Sequence, residues 1–109
     1  MLGLLLFSAR ALPQERHFVV LKFVSDTCED YSTTKVKLEA ASKNYKGDGH
    51  FYVVTDPELH KNAKVTELPC VHLYARNKLQ AAMLLKPDAW DAFEARLWQV
   101  HQELEFYSQ

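Results

Sequence analysis

The chain holds few of the residues from which catalytic and binding motifs are usually built. It contains two cysteines, three glycines and four prolines in 109 residues. Two cysteines cannot form the disulfide framework of a small secreted scaffold. Gly-rich phosphate loops, nucleophile elbows and zinc-ligand spacings are all missing, so no reading as a nucleotide, serine-hydrolase or zinc-finger protein starts from a motif. No apolar run approaches the roughly 20 residues that span a bilayer. The formal net charge is −1, which gives no electrostatic footprint for nucleic acid or anionic lipid.

What is present is an ordinary globular composition, 48% apolar and 25% charged. A chain of this length makes one domain and buries roughly 60–70% of its unfolded surface. Residues 1–17 stand apart from residues 18–109. Met1 to Phe7 is almost wholly apolar, and residues 1–14 hold Arg10 and no acid. Three readings stay open for this segment. Leu4-Leu5-Leu6-Phe7 followed by Ala9-Arg10-Ala11 has the core and the end of a signal peptide without its positive n-region. An Arg-bearing, acid-poor start also fits a mitochondrial presequence. The third reading is a first helix docked on the core and ended by Pro13.

The rest of the chain is organised around residues 18–32. Phe18 to Ser25 reads as a strand, with Lys22 its one charge, and a run this apolar suits a strand covered on both faces. A short polar loop ends at Cys28. A helical pattern follows at once, with Tyr31, Thr34, Leu38, Ala41 and Tyr45 three and four apart. That order would place a thiol at an electropositive helix end, with Glu29 and Asp30 as first-turn acids.

Further elements follow from the same rules. The helix runs to about Lys46 and stops at Gly47-Asp48-Gly49. Residues 51–55 make a second strand. Asp56 caps a short helix whose first position is Pro57 and which reaches about Lys64. Residues 70–74 make a third strand, Arg76-Asn77-Lys78 a turn, and residues 79–85 a strand paired back as a hairpin. Pro87 and Asp88 open a last helix with the stripe Trp90, Phe93, Leu97, Val100 and Leu104, fraying from Glu105. A helix between the first two strands implies a right-handed parallel crossover.

This order resembles the thioredoxin fold over about residues 17–104. Its most specific piece is Thr66-Glu67-Leu68-Pro69-Cys70-Val71-His72-Leu73-Tyr74, where thioredoxins carry a cis-proline that faces the active-site cysteine. Residues 22–28 match the family's first strand and the first cysteine of Cys-x-x-Cys. The resemblance implies an α/β three-layer sandwich with a mixed four-stranded sheet. It also implies that the backbone beside Pro69 reads an extended partner chain.

The sequence departs from the family at the chemistry. The motif reads Cys28-Glu29-Asp30-Tyr31, so Tyr31 stands where the resolving cysteine belongs, and Thr27 replaces the family's tryptophan. Dithiol exchange needs two cysteines at this site. The pattern is not that of monothiol glutaredoxins either, so iron–sulfur binding by that route has no support. The expectation is a redox-inactive, thioredoxin-like protein without a cofactor. It would bind other proteins as an accessory or structural subunit of a larger assembly, in a mitochondrial complex or the cytoplasm. The binding residues would be Cys28, Tyr31, Leu68, Pro69, Cys70 and Trp98. Two rivals remain: a monothiol oxidoreductase that uses Cys28, with glutathione or with Cys70 as resolving partner, and a substrate-binding domain like the non-catalytic domains of protein disulfide isomerases.

Each singled-out residue also has a plain structural role. Cys28 packs as a small hydrophobe if it does no chemistry. A Cys28–Cys70 disulfide requires α-carbons within about 7 Å. Cys70 and His72 share a strand face, but four metal ligands are not visible. His17, His50, His60 and His101 read as surface or edge residues. Trp98 lies one position off the last helix's stripe, where it either closes the core's flank or anchors a partner.

Overall fold

The computed structural model describes residues 17–107, so the readings made for residues 1–16 lie outside the described residues. The elements are β1 (Phe18–Phe23), α1 (Ser32–Asn44), β2 (Gly49–Val54), α2 (Pro57–Asn62), β3 (Cys70–Ala75), β4 (Lys78–Leu84) and α3 (Trp90–Tyr107). A single 3₁₀ turn, Pro87–Ala89, precedes α3.

The four strands form one sheet in the order β2-β1-β3-β4. β1 pairs parallel to β2 and antiparallel to β3, and β3 pairs antiparallel to β4. β1 is thus flanked on both sides and buried along its whole length. This explains why it reads as a continuous apolar run rather than an alternating one. The β3–β4 hairpin closes through Arg76 and Asn77, both at positive φ (53° and 65°), as a two-residue hairpin turn requires.

Strand alternation sorts the core into two layers. Phe18, Val20, Val71, Leu73 and Ala75 face α1 and α3, which contribute Leu38, Ala41 and the stripe Trp90, Phe93, Leu97, Val100 and Leu104. Val19, Leu21, Phe23, Val54 and Cys70 face the other way, toward Leu59 of α2 and Ala63 at its end. The stripe of α3 is buried throughout, and the helix continues to Tyr107 instead of fraying from Glu105. Arg96 secures α3 to β4, its guanidinium donating to Gln80 Oε1 at 2.8 Å.

Two details fix the ends of α1. At its start the buried Thr34 hydroxyl lies 3.1 Å from both the Tyr31 and the Leu85 carbonyls, tying the helix to the end of β4. At its far end Tyr45 O accepts from Asp48 N and Gly49 N, with Gly47 at φ +94°. Gly49 is glycine because a side-chain carbon there would collide with the Phe18 ring. That ring packs edge-on against Tyr45 and Phe51.

Candidate functional site

The site begins where β1 ends. Phe23 pairs with Cys70, so Pro69 lies beside the C-terminal end of β1, the end from which residues 24–31 emerge. The Leu68-Pro69 peptide bond is cis. Pro69 is buried and its carbonyl accepts from Leu85 N at 2.9 Å, which anchors it to the strand beyond. Leu68 turns its side chain onto the second core layer. Among the described residues, no hydrogen bond engages the backbone of Thr66, Glu67 or Leu68. The chain bends through Glu67, Leu68 and Pro69, and the amides and carbonyls just before Pro69 are free of main-chain partners.

Cys28 closes a tight turn with Ser25. Its N–H donates to Ser25 O at 3.4 Å, and Ser25 N donates back to the sulfur at 3.4 Å. The thiol is half-buried and unpaired. The structure corrects its predicted setting. α1 starts at Ser32 with Tyr31 as its N-cap, and no acid lies in its first turn. Cys28 is therefore separated from the helix by Glu29, Asp30 and Tyr31, and the dipole's influence is confined to the first turn. The cause is a long-range charge. Asp30 accepts from the buried Lys22 ammonium at 3.0 Å, which draws residues 29–30 toward β1 instead of into the helix. Lys22 and Asp30 border a groove of about 380 Å³ between α1 and β2, walled by Val20, Leu38, Phe51 and Val53.

Cys70 is also a free thiol, so the cysteines are not joined. It is buried on the α2 side of the sheet, in a row with His72 and Tyr74. Burial pushes the Cys70 thiol above its ordinary 9.0 and Tyr74 above 10.0, and holds His72 below 6.5. His72 Nδ1 and the Tyr74 hydroxyl are hydrogen-bonded at 3.2 Å. The row is a neutral polar lining, with His72 edge-on to Phe23. His60, expected at the surface, is buried, and its Nε2 bonds to Val54 O at 2.9 Å.

Of the six expected binding residues, Cys28, Tyr31, Leu68, Pro69 and Cys70 share one end of the sheet. Trp98 does not join them. It is 55% exposed on α3, so it does not close the core. Its ring stands 6.0 Å from His101, whose ring in turn faces Phe18 at the start of β1, the opposite end. Sequence spacing missed two further groupings. One is the Lys22–Asp30 pair. The other is Asp48, His101 and Glu105, whose ligand atoms all lie within 4.8 Å of one another. His101 and Glu105 are an i, i+4 helix pair, but Asp48 reaches them, and Asp30 reaches Lys22, only through the fold.

No family model matches the sequence, and no curated protein matches it. Solved structures do. The chain is similar to the germline-specific thioredoxin Deadhead of Drosophila melanogaster, with 16% identity, a TM-score of 0.62, and 75% of this chain and 82% of that one covered. It is similar to thioredoxin f2 of Chlamydomonas reinhardtii, with 26% identity, a TM-score of 0.58 and coverage of 70% and 74%. A third likeness is to mitochondrial thioredoxin 3 of Saccharomyces cerevisiae, with 20% identity, a TM-score of 0.59 and coverage of 69% and 74%. These likenesses show the fold: a thioredoxin-like mixed sheet flanked by helices. Among the described residues, no helix is long and apolar enough to cross a membrane.

Proposed function

We propose that this chain is a redox-inactive thioredoxin-like protein that binds other proteins, serving as an accessory or structural subunit of a larger assembly. The observation that carries this reading is the open backbone of Thr66, Glu67 and Leu68 beside Pro69. Unpaired amides and carbonyls beside Pro69 offer main-chain pairing to a visiting strand. The Cys28 turn emerges at the same end of the sheet, with Tyr31 where a resolving cysteine would stand. A visiting chain is then held without completing an electron exchange. The Arg-bearing, acid-poor residues 1–14 favour a mitochondrial complex over a cytoplasmic one.

The rival reading is a monothiol oxidoreductase, and the observation in its favour is the half-buried, unpaired Cys28 sulfur. One experiment separates the two. Native extract is fractionated by size, and the chain is then assayed for disulfide reduction with glutathione present. The proposed function expects migration well above the 12.6 kDa of the monomer, with a stoichiometric protein partner that Cys28→Ser retains. A chain that travels alone at its monomer mass overturns it. So does turnover that Cys28→Ser abolishes.

A further inference from the structure

At the end of the molecule away from Pro69, three side chains from two elements converge. Asp48 comes from the turn between α1 and β2, and His101 and Glu105 from successive turns of α3. We propose that these three form a divalent-cation site, and that the cation is zinc.

The two separations from His101 are near those of a zinc site, and the carboxylates, all within 4.8 Å, would close together on the ion. Donors bonded to zinc at about 2.0–2.1 Å in a tetrahedron stand about 3.3 Å from one another. His101 Nε2 lies 3.3 Å from Asp48 Oδ2 and 3.9 Å from Glu105 Oε1. The supports are firm. The His101 side chain is only 15% exposed. Its ring is held by Tyr45 at 5.1 Å, Phe18 at 6.5 Å and Trp98 at 6.0 Å, which leaves Nε2 pointing at the carboxylates. Asp48 is pinned through its backbone, since its N–H donates to Tyr45 O at 2.9 Å and its carbonyl accepts from Phe18 N at 3.3 Å. Glu105 sits one helical turn from His101 on the same side.

The donor set favours a borderline divalent ion such as zinc. One imidazole and two carboxylates suit a borderline ion. Calcium takes six to eight oxygens, and copper(I) takes sulfur. Three protein ligands leave the fourth position of a tetrahedron to water. Zinc needs the His101 ring neutral, with the Nε2 lone pair free and the proton on Nδ1. The Gln102 amide lies 3.4 Å from Nδ1. Turned so that its oxygen faces the ring, it accepts that proton and fixes the tautomer.

This site is separate from the proposed binding stretch, so its test does not depend on that reading. The full chain, stripped with chelator, is titrated with zinc chloride by calorimetry, and metal retained after gel filtration is counted. The expected result is saturable binding of one zinc per chain. Asp48→Asn and Glu105→Gln should each weaken it by about tenfold or more. Both positions are substantially exposed, so the fold survives these changes. Cys28→Ser, Cys70→Ser and His17→Ala should leave the affinity unchanged. Three results would overturn the proposal: no saturable binding, an affinity that both carboxylate variants preserve, or binding that disappears with either cysteine.

Discussion

Toward α1 and α3 the sheet presents Phe18, Val20, Val71 and Leu73, each at most 1% exposed and packed on apolar helix residues, with Lys22 the one buried charge on that side. Toward α2 it presents Leu21 and Phe23 but also Cys70 and His72, with His60 reaching in from a helix of six residues. No buried side-chain nitrogen or oxygen among the described residues lacks a partner. The polar groups on the second face are therefore satisfied, as burial demands, yet they bring less transfer free energy than the aliphatic and aromatic groups opposite. The first face supplies most of the stability. The second trades some of it for a polar lining beneath the Pro69 end of the sheet.

Four measurements break or sharpen that contrast. The largest effect is expected from Phe93→Ala, which empties the centre of the first face and should cost about 3–5 kcal/mol in urea unfolding. Leu59→Ala on the second face should cost about 1–2 kcal/mol, because Leu59 is only partly buried. Equal losses would end the distinction. Next comes Lys22, the one charge in β1. Asp30→Asn strands its ammonium in a site only 6% exposed and should cost about 1–3 kcal/mol. Lys22→Met removes the charge and should be neutral or stabilising. A loss for Lys22→Met as large as for Asp30→Asn would mean that the pair itself, not the stranded cation, sets the energy.

The third test uses pH. Burial holds His72 below its ordinary 6.5, so the folded ring stays neutral while the unfolded ring takes a proton. Its contribution to stability is complete above 6.5 and is lost as pH falls toward the folded value. His72→Phe should flatten the stability profile between about pH 7 and pH 5. His50, lowered by burial and by His17, acts in the same sense and would account for any slope that remains. An unchanged slope in the variant would show the second face to be as indifferent to protons as the first. The smallest effect is expected from Trp98→Ala. At 55% exposure it should change stability by less than about 0.5 kcal/mol. If it nonetheless removes the partner from size fractions, the partner sits on α3 and not beside Pro69.

Much of the architecture was legible from local pattern. The order of elements, the β1 run and the α3 stripe all follow from periodicities that neighbouring residues set. Asp56 behaves as the cap it resembles, its carboxylate accepting from Glu58 N at 2.9 Å. What the sequence hid depends on distant partners. Glu29 and Asp30 look like first-turn acids, but Lys22 claims Asp30 from another element. His60 looks like a surface residue until the Val54 carbonyl comes within reach. Asp48 and His101 are 53 residues apart, and no spacing rule connects them. Of the six expected binding residues, five share one end of the sheet because one loop and one strand end carry them. Trp98 lies at the other end, because the pitch of a helix says which side a residue takes, not which end of the molecule that side overlooks.

The contact between Gly49 and Phe18 has a consequence beyond local fit. Any other amino acid at position 49 would evict an aromatic ring from the start of the central strand, and Tyr45, Phe51 and His101 would each lose a neighbour at once. A single hydrogen atom thereby holds the start of the central strand in place, and of the described glycines only Gly49 is closed in this way.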